Sequence, residues 1–523
     1  MKFLKKYFIE IIVFIIFILY SGTLNLQFLN GANINYTFSG HDEYLTVKEV
    51  YSILEPASLK HFVLAIASGD IMIYGRVVFY VDAIIAYLPY KIFGLEGMVY
   101  SIRMTHVLFI FFGLTICSRI FLREKIYRVL FYLVILSLYY TSYFIMIPKP
   151  EPIQLFFISV FLYFGNKKQW LFGKHFFWLG LAYGAKFNAL MILPLFFILP
   201  LFKEKINWKK NFISVIWFLS GVFIAVPALL LSPFNLKFFE SYVNSTFKNT
   251  DHYDDVKIGF WDWIQNGFTT FYSGHIILTI LLSVFFSIIL LIGVWKYFKT
   301  SKIEDYLIIS LIGFSLIFPV MILTKRIWPH YLWTGFIFFM LSIFIYFQSI
   351  NVKLILKKNI SIALSITVLI ITSFSISKQL NLIELEKNQM SIKKNSIKAH
   401  NYIKSINNKF ICVQDISVFY SFDDFLISSR YHPFSSPYPY PESSKKIVWS
   451  SFINPKVISN TKSNYILTYH RNFETKLERL NSIKDQMIKK DNEQMCLLLG
   501  KTIFLDTVIG EIRVYRFINE EVK

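Results

Sequence analysis

Charge is what this sequence has least of. Of its 523 residues only 17% are Asp, Glu, Lys or Arg, against about 25% in a soluble globular chain. Acids are the scarcer sign, 33 against 54 bases. Three cysteines exclude a disulfide-built secreted scaffold. Twenty-one glycines and 16 prolines exclude collagen and Pro/Gly-rich disorder. No P-loop and no Gly-x-Gly-x-x-Gly signature is present. What is abundant is apolar: 55% hydrophobic residues, 19% aromatic, and 56 phenylalanines. That balance excludes a soluble enzyme of two or three domains and points to a polytopic membrane protein. The net charge of +21 would suggest nucleic acid in a soluble chain. Here it is read against the membrane, and no nucleic-acid partner is expected.

A helical span needs about 20 mostly apolar residues. Such runs begin near Tyr7, Thr105, Val129, Ile153, Phe176, Phe212, Ile276, Tyr306, Tyr331 and Ile360. The run over 176–202 contains Gly184, Lys186, Asn188, Pro194 and Pro200. It reads either as one long span or as two short ones that turn near residues 186–188. Short basic segments at 2–6, 119–128, 167–174, 203–210, 296–302 and 353–358 hold 20 of the 54 Lys and Arg residues. Short cytoplasmic loops collect Lys and Arg. All six segments share one side only if 176–202 crosses twice. That gives about 11 spans, with the N-terminus cytoplasmic and the C-terminal part outside. The first run resembles a signal peptide, but its apolar core continues towards Phe28 and Ser21-Gly22-Thr23 is a poor cleavage site, so an uncleaved span is expected.

Two domains follow: a transmembrane module over 1–376, with a long first external loop at about 30–103, and an extracytoplasmic α/β domain over 377–523. The latter carries 22 bases and 15 acids, about +7 of the total. Strands are expected at 410–414, 465–469 and 512–517, and a helix at 476–490. Cys117 lies in a span. Cys412 and Cys496 share the outer domain and are candidates to pair.

The acids that exist gather in the external loops. His41-Asp42-Glu43-Tyr44 follows the first span. Adjacent carboxylates suit acid/base work, one taking a proton from a hydroxyl while its neighbour orients it or holds a metal. They equally suit a helix start, where acids face the helix dipole. The loop behind them is amphipathic, with segments 47–54 and 61–66 fit to lie on a membrane interface. It continues through Tyr74-Gly75-Arg76 and Tyr87-Leu88-Pro89-Tyr90-Lys91-Ile92-Phe93-Gly94 to Arg103. A Pro-Lys-Pro-Glu-Pro segment at 148–152 brings Lys149 and Glu151 to the same face. Lys186 lies within an apolar run, where an ionisable residue is costly and marks function. Lys325-Arg326 and His330 stand at another span end, as functional cations or as headgroup anchors. Asp251-His252-Tyr253-Asp254-Asp255 with Trp261-Asp262-Trp263 offers metal or sugar contacts, without a recognised metal spacing.

In this order the features resemble the GT-C superfamily of integral-membrane glycosyltransferases, and most nearly the branch with the protein O-mannosyltransferases and the lipid A aminoarabinose transferase. The resemblance is carried by Asp42-Glu43 after the first span, the long loop ending in Leu-Pro-Tyr-Lys-Ile-Phe-Gly and Arg103, the 148–152 segment, and the Lys-containing stretch from Gly180 to Pro194. It covers roughly residues 1–340, and the outer domain is similar in placement only. Lys149-Pro150-Glu151 departs from the Arg/Asp arrangement more usual there.

The resemblance implies a polyprenyl-phosphate-linked sugar as donor and a glycan, lipid or protein as acceptor. It implies inverting transfer at the extracytoplasmic face of a membrane, here expected to be a bacterial inner membrane. Asp42 is then the general base, and Glu43 orients the acceptor or helps to hold a divalent metal ion. Arg76, Arg103, Lys149, Lys186, Lys325, Arg326 and His330 are the candidates to hold the donor phosphate. Glu151, Asp251 and His252 are candidates for acceptor or metal. The alternatives are a transporter or flippase, or a polymerase or ligase, for lipid-linked glycans. A transporter places its ionisable groups at mid-bilayer in matched halves, whereas no internal repeat is evident here.

Overall fold

The computed structural model describes residues 2–24, 41–56, 58–67, 75–167, 173–196, 208–227, 260–263, 276–300, 304–323, 329–350 and 362–370. In the C-terminal part it describes 394–403, 411–413, 447–449, 465–468, 501–510 and 512–519, with isolated positions at 359, 372–373, 391 and 405. The chain divides into two compact units. One comprises Met1–Asn25 with Ser52–Leu382, and the other Leu26–Tyr51 with Ile383–Lys523.

The first unit is helical. It contains α1 (Lys2–Leu24), most of its helices up to residue 349, and the end of α2 (His41–Leu54), whose first eleven residues belong to the second unit. Then come α3 (Leu59–Ala67), α4 (Val77–Phe121), α5 (Lys125–Ser137), α6 (Tyr139–Met146), α7 (Pro150–Lys167), α8 (Phe176–Ala185), α9 (Trp208–Ala225), α10 (Ile276–Thr300), α11 (Asp305–Leu323) and α12 (Trp333–Ser349). Among the described residues four helices are long and apolar enough to cross a membrane. The bent pair α5–α6, with a 66° angle, makes a fifth. Shorter apolar helices occupy Tyr7–Gly22, Phe176–Ala185, Phe187–Phe196 and Asn211–Ala225.

α4 is not one rod. In a straight helix, residues 82 and 106 would stand about 36 Å apart at 1.5 Å per residue. Yet His106 Nε2 lies 3.1 Å from Asp82 Oδ2, both side chains fully buried. The chain doubles back at Gly94, whose φ of 67° is open to glycine at little cost. The two limbs are so close there that a Cβ on Gly97 would strike the Pro89 carbonyl. The first limb buries Val77, Val78, Phe79, Ala83 and Ala86 and exposes Ile84, Leu88, Ile92 and Phe93. Such a two-faced helix suits a lipid interface. Lys91 pairs with Glu55 at 2.8 Å on that exposed side.

Glu10 fastens α1 to the far limb of α4 and to α5. Its carboxylate accepts from Arg119 at 2.9 Å and Arg128 at 2.6 Å. α8 and α9 touch through main chain: a Cβ on Gly180 would meet the Phe218 carbonyl, and one on Gly221 the Phe177 carbonyl. Small residues permit such contact in lipid, where packing rather than hydrophobicity joins helices. α12 is buried on all sides from Trp333 to Ile345, which makes it the centre of the bundle.

The second unit holds a five-stranded sheet: β1 (Ile411–Val413), β2 (Ile447–Trp449), β3 (Tyr465–Thr468), β4 (Lys501–Ile509) and β5 (Ile512–Asn519), in the order β2-β1-β3-β5-β4. β1 runs parallel to β2 and β3, and β5 antiparallel to β3 and β4. The β4–β5 hairpin turns at Gly510, with φ of 60°, and the ladder carries a bulge between Leu505 and Thr507. Three of these strands coincide with segments expected from alternation. The expected helix at 476–490 and Cys496 lie outside the described residues.

Candidate functional site

The backbone leaves the helical form directly after α8. α8 stops at Ala185, Lys186 is extended (φ −152°, ψ 124°), and a 3-10 turn runs over Phe187–Ile192. The break lies where Lys186 and Asn188 had suggested a turn. A broken helix inside a membrane needs other partners for its freed polar groups. Gln154 on α7 supplies them: its Nε2 donates to the Lys186 carbonyl at 3.1 Å and to Asn188 Oδ1 at 2.5 Å. Its Oε1 accepts from Thr334 Oγ1 of α12 at 3.2 Å. All of these groups are buried.

Lys186 Nζ donates to Glu151 Oε1 and sits 3.7 Å from the centre of the Tyr331 ring. The side chains of the pair are 5% and 1% exposed. Glu151 is placed by the first turn of α7, after Pro148 and Pro150 fix the entry of the chain. Lys149, beside it, donates from Nζ to His330 Nε2 at 3.2 Å. An ammonium has only donors, so His330 accepts as a neutral imidazole with its proton on Nδ1. Tyr143 stacks on His330 at 6.2 Å and lies beneath Lys149 Nζ at 5.4 Å. Tyr140 and Tyr331 complete the aromatic wall around His330.

Among the described residues the cluster comprises two lysines, one carboxylate and a neutral histidine in a buried aromatic setting, so these four side chains sum to one positive charge. Low-dielectric surroundings magnify that charge, and a positive charge so placed can attract an anion such as a phosphate. Four residues singled out from sequence, Lys149, Glu151, Lys186 and His330, are thus brought together. Glu151 faces Lys186, so its surroundings are those of a counter-ion.

Arg76 is buried at the start of α4. Its backbone N–H donates to the Ala225 carbonyl at 2.6 Å, its Nη2 donates to the Ala65 carbonyl, and its guanidinium covers Phe79 at 4.6 Å. The preceding Gly75 packs on the backbone of Gly184, and a Cβ on Gly184 would meet Ala225. This fixes the Arg76 segment against the end of α8, next to Lys186. Arg103 is buried in the second limb of α4, one turn before His106. Asp42 and Glu43 occupy the first turn of α2, where acids are favoured; their side chains lie outside the described residues. Lys325, Arg326, Asp251 and His252 also lie outside them. Among the described residues no group of three His, Cys, Asp or Glu side chains is placed to hold a metal ion.

Sequence reasoning missed Gln154, Tyr143 and Tyr331, whose residue types carry no contrast in this composition. It also missed Asp82 and His106, although two ionisable residues in one apolar helix are a signal in themselves.

Helices of membrane length around a buried cluster of ionisable side chains mark an integral membrane protein. No protein-family model and no curated protein matches the sequence. Among solved structures, the crystal structure of ArnT from Cupriavidus metallidurans in the apo state is similar. The TM-score is 0.53 at 9% identity, over 95% of this chain and 97% of that one. At that identity the likeness is one of fold: the chain has an ArnT-like fold.

Proposed function

We propose that the protein is a membrane glycosyltransferase that moves a sugar from a polyprenyl-phosphate donor to an acceptor hydroxyl at the extracytoplasmic face, with inversion. The observation that carries this reading is the Lys149–His330 and Lys186–Glu151 cluster buried in an ArnT-like fold. A single displacement needs three things: a base for the acceptor proton, an in-line approach, and stabilisation of the leaving phosphate. Asp42 takes the proton as the acceptor oxygen bonds to the anomeric carbon. Lys149 and Lys186, with His330, receive the phosphate, and Arg76, Arg103, Lys325 and Arg326 are the further cations of this reading. Glu43 orients the acceptor or helps to hold a divalent cation. Loss of transfer on chelation, restored by Mg2+ or Mn2+, tells those two roles apart.

Eleven spans, a cytoplasmic N-terminus and a bacterial inner membrane complete the proposal. The test is transfer of labelled sugar from polyprenyl phosphate by purified protein in liposomes. Asp42→Asn should abolish transfer with unchanged thermal melting, and wild-type transfer by that variant removes Asp42 from the mechanism. The broken hairpin at Lys186 is a feature that transporters share. Movement of the intact lipid-linked sugar between leaflets, without transfer, would favour that second reading.

A further inference from the structure

The buried cluster contains more than cations. Glu151 sets a negative charge against Lys186, and the acid is engaged at Oε1 alone. Its Oε2 is buried with no hydrogen-bond partner among the described residues. Burying a carboxylate with an unused oxygen is costly. A site shaped only to grip phosphate would bind more tightly without it. Whatever else faces the two lysines, the acid lowers the charge of the cluster by one unit.

Donor and product of the proposed reaction differ in charge at the atoms this cluster would face. The donor is a phosphodiester with one negative charge. As the acceptor oxygen bonds to the anomeric carbon, the bond from that carbon to the phosphate oxygen breaks and its electron pair stays on the phosphate. The product is a phosphomonoester, whose second ionisation lies at a pKa of about 6, so it carries nearly two negative charges at pH 8. We infer that Glu151 is the residue that sets the charge preference of the phosphate site. As the resident counter-anion of Lys186, it matches the cluster to the singly charged donor and lets the doubly charged polyprenyl phosphate leave. This rests on the glycosyltransferase reading and gives Glu151 a specificity-determining role within it.

Two short-chain probes test it: farnesyl phosphate, a monoester, and methyl farnesyl phosphate, a diester. Each is titrated at pH 8 against the full-length protein in detergent. Glu151→Gln adds one positive charge to the cluster. Coulomb attraction scales with ligand charge, so a gain of about 10-fold for the diester should accompany roughly 100-fold for the monoester. Glu151→Asp keeps the charge and should keep the wild-type ratio of the two affinities. Glu151→Ala replaces the amide variant should that one not fold. In turnover the neutral variant should show lower kcat, lower KM and stronger inhibition by product. An equal change for both probes, or a ratio shifted as far by Glu151→Asp as by Glu151→Gln, overturns the role of Glu151 alone. Failure of the wild-type protein to bind either probe overturns the glycosyltransferase reading itself.

Discussion

Lys186 and Glu151 illustrate why single residues in this site cannot be valued by deletion alone. Each is buried and each is the other's counter-charge. Lys186→Met strands a carboxylate and should cost about 3–5 kcal/mol, while replacing both partners with apolar residues should recover most of that. Thermal melting in detergent would show the recovery, and sugar transfer should stay abolished in both variants. Restored transfer in the double variant would deny the pair a part in the reaction. Gln154→Leu should cost about 1–2 kcal/mol and slow transfer, because the backbone of Lys186 loses the amide that holds it. Lys186 was legible from sequence because a charge stands out in an apolar run. Gln154, Tyr143 and Tyr331 were not, since neutral polar and aromatic side chains are everywhere in this chain and only folding selects these three.

At the scale of elements, hydropathy located the apolar runs but not their direction. Nothing in the pattern of residues 77–121 says that the helix doubles back, because both limbs keep the same helical period; the turn rests on one glycine with positive φ. Gly94→Val should therefore destabilise by about 1–3 kcal/mol, and Gly94→Asn by less, measured by thermal unfolding. Spin labels at exposed Leu88 and Tyr100 on the two limbs should report a separation well below the roughly 18 Å that twelve residues of straight helix would give. The break at Lys186, in contrast, was readable, since a lysine, an asparagine and prolines interrupt one apolar stretch. Gly184→Val should push Ala225 and Gly75 away from the hairpin and lower both melting temperature and transfer.

Over the whole chain, the positive charge and the fold bear on different questions. Fold is supported by likeness to ArnT across nearly the full length, whereas orientation rests on where Lys and Arg gather. In a cysteine-free background, Cys introduced at Lys209 or Lys299 should react with an impermeant thiol reagent only from the cytoplasmic side. Cys introduced at Glu55 should react only from the outside. Reaction of Glu55→Cys from the cytoplasm would invert the topology and remove the extracytoplasmic reaction with it. The small C-terminal sheet was legible in its strands, but not in its mixed order, because pairing partners distant in sequence leave no local trace.

Gly75, Gly184 and Ala225 meet through main chain and Cβ, with no longer side chain between them. Contacts of that kind require that Gly75 and Gly184 carry no side chain, so substitution can abolish them but cannot grade them. On the proposed reading, this divides the surroundings of the site in two. The segment that seats Arg76 and Lys186 is a fixed chassis, and the rings of Tyr143 and Tyr331 beside it are the parts that can be exchanged.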